Sequence, residues 1–304
     1  HYLADGRRQQ ALGLLREMAQ DDNSRGEAAA IWLADIEAMP VGPRSIDELK
    51  QYIPLFSTEM EADKAEALLA TQEAQWASPA YRSRQLALAR TASGGATIAE
   101  LQRALAVNPG DPELMGALGQ AYSRNDQRAL AITQFERVLR HPDVTDKDKW
   151  ASLLATNRYW LLVNQGSQAL AQQQWEAAAT RYRSAIALDG KEPEAWLGLG
   201  DSERGRRRDG EAELAYQKAF AMPGARDRAL ARLFDLYKGQ DPARALALLD
   251  QNGSAALQAE GKRLKAELLQ EQADQLDKAG KLPQALTQRQ EALRLLPDDV
   301  WLAY

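Results

Sequence analysis

The chain has 304 residues, 45% hydrophobic and 27% charged, with a formal net charge of −5. It has no cysteine and only two histidines, His1 and His141, which removes disulfides, thiol chemistry and cysteine-based zinc fingers together. Both charge signs are interspersed, which disfavours a nucleic-acid partner. Purely apolar runs such as Tyr159 to Val163 are far too short to cross a bilayer as a helix.

In chain order, Gly6, Ala11, Leu15 and Met18 match the second helix of a two-helix unit, and Ile31, Trp32, Leu33 and Ile36 match the first helix of the next. That order starts in mid-unit and places the natural N-terminus upstream. Met39 to Arg44 carries two prolines and a glycine and breaks the helix. Ser45 is then read as the cap of Ile46 to Leu49, with Glu48 at the capping-box position. Pro54 ends or kinks that helix. A polar helix is expected from Thr58 to about Gln75, and Trp76-Ala77-Ser78-Pro79 marks a further boundary.

The pattern then becomes regular. Leu101 and Ala104 close on Asn108-Pro109, and Met115, Leu118, Gly119 and Tyr122 pair with Ala131 and Phe135 before His141-Pro142. Thirteen extra residues follow, Asp146 to Arg158, with Thr145 as the expected N-cap. No glycine or proline occurs until Gly166, so one long helix is expected through to about Gln172. A helix lengthened in this way protrudes or re-aims the stack, which makes 146–158 a candidate hinge, with Asp146, Trp150 and Asn157 as its marker residues. A rigid lengthened helix is the competing reading.

The clearest unit runs from Pro193 to Pro223. Trp196, Leu199 and Gly200 share one helical face, and Ala212, Tyr216 and Ala219 share a second after a polar turn. The order W-x2-L-G, then A-x3-Y, then proline is the tetratricopeptide signature, in which small residues let two backbones approach while aromatics fill the gaps. Ala178 with Tyr182 repeats the second-helix motif 34 residues earlier. Farther on, Leu230, Leu233, Tyr237, Ala245 and Leu249 form another unit whose second helix is stopped at Asn252-Gly253-Ser254. Ala255 to Lys278 is one bent helix or two short ones, Ala285, Ala292 and Pro297 close another unit, and Val300 to Tyr304 opens one that the chain does not finish. A single hairpin cannot cover its own apolar face, so six or seven such units must stack. The expected fold is an all-α tetratricopeptide-repeat solenoid of antiparallel helix pairs. Its divisions are an array over 1–145 with an irregular insert near 39–77, the extra helical segment 146–158, and an array over 159–304. Its core is assigned to Leu118, Gly119, Tyr122, Ala131, Phe135, Ala178, Tyr182, Trp196, Gly200, Ala212, Tyr216 and Ala285, with Trp175 beside them.

The segments Asn157-Arg158-Tyr159-Trp160-Leu161-Leu162, Gln165-Gly166, Leu199-Gly200-Asp201, Gly280-Lys281 and Val300-Trp301, in this order and spacing, resemble the periplasmic repeat region of the bacterial cellulose synthase operon protein C family. The resemblance implies a periplasmic scaffold between an inner-membrane glucan synthase and the outer-membrane exit pore, followed in the full protein by an outer-membrane β-barrel. It also implies the proteins of the synthase complex, and the glucan chain itself, as partners.

Chemistry on the residues is sparse. Neither histidine has a partner motif, the many carboxylates fall on solvated helix faces, and an enzyme, a cofactor and a metal site are all disfavoured. Geometry instead points to a concave stripe at positions 2, 5, 9 and 12 of each first helix. It comprises Glu194, Leu197, Asp201 and Arg204 in one unit, Glu113, Gly116, Gln120 and Ser123 in another, and Trp160, Val163, Ser167 and Leu170 in a third. Stacking on Trp160 with hydrogen bonds from Asn157, Asn164 and Gln120 would suit a glucan, although packing is the favoured role for that tryptophan. The basic run Arg204, Arg206, Arg207 and Arg208 reads as a solvated turn. No unit has the lysine and asparagine pair of co-chaperone carboxylate clamps. The alternative function is a protein-interaction adaptor of another envelope or secretion assembly.

Overall fold

The computed structural model describes residues 8–56 and 60–297, which form sixteen α-helices and no strand. His1, Gly6, Thr58 and the segment from Val300 to Tyr304 lie outside the described residues. The chain begins with α1 (Arg8–Met18), α2 (Arg25–Glu37) and α3 (Pro43–Tyr52), followed by a 3-10 turn at Ile53–Phe56. Then come α4 (Met60–Ala77), α5 (Pro79–Ala92), α6 (Ile98–Val107), α7 (Pro112–Arg124), α8 (Arg128–Arg140) and the long α9 (Lys147–Ala171). The remainder is α10 (Trp175–Leu188), α11 (Pro193–Gly205), α12 (Asp209–Phe220), α13 (Arg226–Gln240), α14 (Pro242–Asn252), α15 (Gln258–Lys278) and α16 (Leu282–Leu295). The architecture is an all-α tetratricopeptide-repeat solenoid. It divides into two compact units, 1–154 and 155–304, with the division inside α9.

Several helix starts follow from local chemistry. Proline stands in the first turn of α3, α5, α7, α11, α14 and α16, where its missing N–H removes a donor that has no intrahelical acceptor. Asp111 accepts from the backbone of Glu113 and Leu114 at 2.9 and 3.0 Å, and Thr97 with Glu100 forms a reciprocal capping box. Two expected caps are different in the structure. α3 starts at Pro43, so Ser45 lies inside it, receiving the Gly42 N–H and donating to Gln72 at 2.7 Å. Proline at the first helical position sets the start two residues before the serine. At α9 the side chain of Asp146, rather than Thr145, accepts from the Lys149 N–H at 3.3 Å, while the Thr145 carbonyl receives the Trp150 indole N–H at 3.1 Å.

In the first unit, the irregular part is organised on Trp32, which is 1% exposed. Its ring lies 6.0 Å from that of Tyr52 and 5.4 Å from that of Phe56, and its indole N–H donates to the buried Glu48 carboxylate at 3.2 Å. The regular part centres on Leu114, Leu118, Ala131 and Phe135. Close helix approach is possible there because Gly119 has no side chain: a Cβ would lie 2.7 Å from the Phe135 ring. Gly116 plays the same part for Trp150, whose ring would be 2.2 Å from a Cβ, so Gly116 belongs to the packing and not to an open face.

In the second unit the device recurs. A Cβ at Gly166 would meet the Tyr182 ring at 2.8 Å, and one at Gly200 would meet the Tyr216 ring at 2.2 Å. Ala178, Tyr182, Ala212, Tyr216 and Ala285 are all buried. Burying aromatics of this size contributes roughly 2–3 kcal/mol each. Trp196 is only half-buried: it packs against two neighbouring clusters while its indole N–H stays at the rim, donating to the Gly190 carbonyl at 3.0 Å. Trp175 is likewise half-buried, lying on Gly205. The turns between paired helices repeat a left-handed residue, Asp126, Gln173, Arg207 and Gly280, with φ of 57°, 58°, 60° and 72°. The stretch after Gly253 resolves into a short turn and a single helix, α15, which pairs with α16.

Candidate functional site

The expected stripe maps onto α11 and α13 as a ladder of ion pairs between consecutive first helices. Glu194 accepts from Arg228 at 2.9 Å. Asp201 is gripped by Arg232 through Nε at 2.9 Å and Nη2 at 3.1 Å, and it also accepts from the Tyr216 hydroxyl at 2.8 Å. Arg204 donates to the Asp235 carbonyl at 3.3 Å and stands 4.0 Å from its carboxylate. The ladder continues with Lys238 and Glu260 at 2.5 Å, from α13 to α15. Pairs this exposed contribute about 0.2–1 kcal/mol each, so spacing and register are what the ladder fixes most firmly.

Electrostatics agree with that reading. Burial, joined by the Asp201 carboxylate, pushes the Tyr216 hydroxyl well above the usual tyrosine range. Burial opposes the Arg232 charge, but the hydrogen bonds and charge of Asp201 outweigh it and hold that guanidinium above its ordinary value. Beside the ladder, Tyr237 of α13 and Arg244 of α14 both donate to Glu213 of α12, at 2.9 and 2.6 Å. Burial raises the Glu213 carboxyl, yet those hydrogen bonds leave it below the usual carboxylate range.

The remaining candidates fall in separate places. Glu113 is exposed on α7 and pairs with Arg84 of α5 at 2.8 Å, and Gln120 is half-buried on the same helix. Asn157 is 1% exposed and therefore lies within the packing, not on an open face. Trp160 is half-buried, edge-on to Tyr159 at 5.3 Å, and Asn164 is half-buried one turn on. Leu197 and Val163, read as stripe positions, are buried at 4% and 6% exposure. Of the hinge markers, Trp150 is buried and Asp146 is exposed, with a φ of 54°. The structure thus gathers Glu194, Asp201 and Arg204 on one face and leaves the others apart from it.

Three residues were not singled out from the sequence. The buried Tyr159 hydroxyl receives the Ala195 N–H at 3.2 Å at the start of α11, and burial pushes it up to about 12. Glu203 is 1% exposed, bonded by Arg183 and held by Arg206 at 3.0 Å through each oxygen. Arg206 also reaches Glu176 at 2.5 Å, so this member of the basic run is an enclosed ion pair and not part of a solvated turn. The available signal was position: Glu203 occupies the place that Tyr122 holds in its own helix, and Arg206 follows three residues later on the same face. Arg228 was equally readable, since it stands 34 residues after Glu194 with the opposite charge. No group of acidic or histidine side chains among the described residues could hold a metal ion.

No family model matches the chain. It is 36% identical over 304 residues to "Cellulose synthase operon protein C" of Escherichia coli strain K12, covering 98% of this chain and 26% of the relative. To the protein of the same description from Salmonella typhimurium it is 37% identical over 312 residues, covering 99% and 26%. To that from Xanthomonas axonopodis pv. citri it is 30% identical over 195 residues, covering 63% and 12%. The chain therefore spans about a quarter of the length of the first two. Among solved structures, the C-terminal part of a TPR repeat-containing protein from Cytophaga hutchinsonii aligns at 13% identity with a TM-score of 0.36, covering 85% of this chain and 98% of that one. MamA aligns at 17% identity with a TM-score of 0.30, covering 72% and 94%. Along nearly its whole length, then, this chain is similar to a quarter-length stretch of cellulose synthase operon protein C.

Proposed function

We propose that this chain is a non-enzymatic periplasmic scaffold in bacterial cellulose synthesis and export, joining the inner-membrane synthase to the outer-membrane pore. The observation that carries the reading is the 36% identity, sustained over 98% of the chain, to a protein named for the cellulose synthase operon. In this reading the repeats bind protein partners through first-helix faces. Trp160, Asn164 and Gln120 are the side chains best suited to a passing glucan, because they are half-buried and none belongs to the α11–α13 ladder. The segment 146–158 is the proposed hinge. Its support is that the division between the two compact units, at Leu154 and Ala155, falls inside it. No described helix is long and apolar enough to cross a membrane.

The test is photo-crosslinking in a cell that makes the polymer, with a benzophenone amino acid at position 160 or 120 of the full-length protein. Adducts with proteins of the synthase complex or with glucan are expected. Adducts formed only with unrelated envelope proteins would favour the adaptor reading and remove this one.

A further inference from the structure

The second unit contains an open groove of about 550 Å3 between α14 and α15, separate from the ladder. Its cause is visible in the sequence. α12 ends with Phe220, eight residues after the buried Ala212, and that ring packs on the core beneath the Arg226 guanidinium at 4.5 Å. The corresponding place, eight residues after the buried Ala245, is Gly253, and Ser254 and Ala255 follow it. Without the aromatic ring the space stays open, and the sides of Leu246 and Leu249 form its apolar wall. The volume lies in the range of ligand-binding clefts.

The opposite wall is one face of α15, where Gln258, Lys262 and Lys265 recur at helical spacing. Among the described residues neither lysine ammonium has a carboxylate or hydrogen-bond partner, in contrast to Lys238, whose ammonium reaches Glu260 close by. The side chains of Ser254 and Gln258 are unpartnered too. Asp250 is the one acidic side chain in the lining, so two cations face a single anion across an apolar floor.

From this we infer that the α14–α15 groove is a docking site for a peptide segment of a partner protein, one that inserts an aromatic side chain flanked by carboxylates. The ring occupies the space that Phe220 fills at the preceding junction, and the carboxylates meet Lys262 and Lys265 as charge-assisted hydrogen bonds. Ser254 and Gln258 supply hydrogen bonds for the peptide backbone, which a lipid tail would not use. The groove's chemistry is independent of what the full-length protein exports.

The experiment follows the leucine methyl signals of the chain by NMR while the peptide Glu-Asp-Trp-Glu-Asp is added. Saturable shifts at Leu246 and Leu249 are expected, weakening with added salt. Peptides with alanine for tryptophan, or lysine for each acidic residue, should bind at least tenfold more weakly. The double variant Lys262→Glu/Lys265→Glu and the blocking variant Ala255→Trp change exposed positions, so their melting temperatures should match the parent's while binding falls at least tenfold. Shifts that persist in both variants, or that map elsewhere, overturn the proposal. So does a concentration-dependent shift of the same methyls without peptide, which would assign the groove to a second copy of this chain.

Discussion

The hairpin of α11 and α12 and the hairpin of α13 and α14 occupy successive places in the array but distribute their bulk in opposite ways. In the first, Gly200 on the leading helix makes room for Tyr216 on the returning one. In the second, the leading helix carries Phe234, fully buried 34 residues after Gly200, and the returning helix carries only Leu249. The repeat thus preserves filled volume between two helices and not the identity of the helix that supplies it. One hairpin is sealed by a hydrogen-bonded aromatic, and the returning helix of the other borders an open groove.

The largest expected effect tests that difference in volume. Tyr216→Ala should destabilise the protein by about 3–5 kcal/mol, because a fully buried ring is removed together with its bond to Asp201. Leu249→Ala, on a half-buried side chain, should cost about 2 kcal/mol, the low end for leucine truncation. Urea unfolding of both variants measures this, and equal losses would mean that the two hairpins are packed alike.

A second effect is alkaline. Tyr159 and Tyr216 keep their protons in the folded chain to higher pH than in the unfolded one, from the ordinary 10.0 to about 12 for Tyr159. The unfolded state therefore releases its proton first as pH rises. The stability these groups contribute is complete below pH 10 and is lost as pH climbs towards about 12 for Tyr159. Melting temperature measured across that window should fall, and Tyr216→Phe should flatten the fall. No such contribution can come from Leu249.

The smallest effect concerns the turns. The α11–α12 turn holds Arg207 at a φ of 60°, where the last repeat uses Gly280, while the α13–α14 turn has no left-handed residue. Replacing Arg207 with glycine should raise stability by up to about 1 kcal/mol, since a left-handed backbone costs a side chain roughly that much. A melting curve that does not move would show that neighbouring contacts hold Arg207 without strain.

The fold was legible because its signals are local and repeated: alanine and aromatic spacing, prolines at helix starts, and a 34-residue register. The details of the face were less so. Asn157 and Val163 looked outward on helical position alone, yet both are buried. Trp196 looked fully interior from its motif, but its place at the start of α11 leaves one edge at the rim. The ladder is not legible within any single unit, because a charge at one position declares its role only beside the charge 34 residues on. Groove formation was hidden for a related reason, since Gly253 signals a helix stop in sequence but an absent ring only when set against Phe220.

Glu203 carries a consequence for the order of the array. Its enclosed carboxylate is matched by Arg183, supplied by the helix that precedes it, and by Arg206 of its own unit. Shuffled behind a module lacking that arginine, the same hairpin would carry a charge with half its compensation gone. Such modules are thus not interchangeable beads, and their sequence along the thread is itself encoded in the interior.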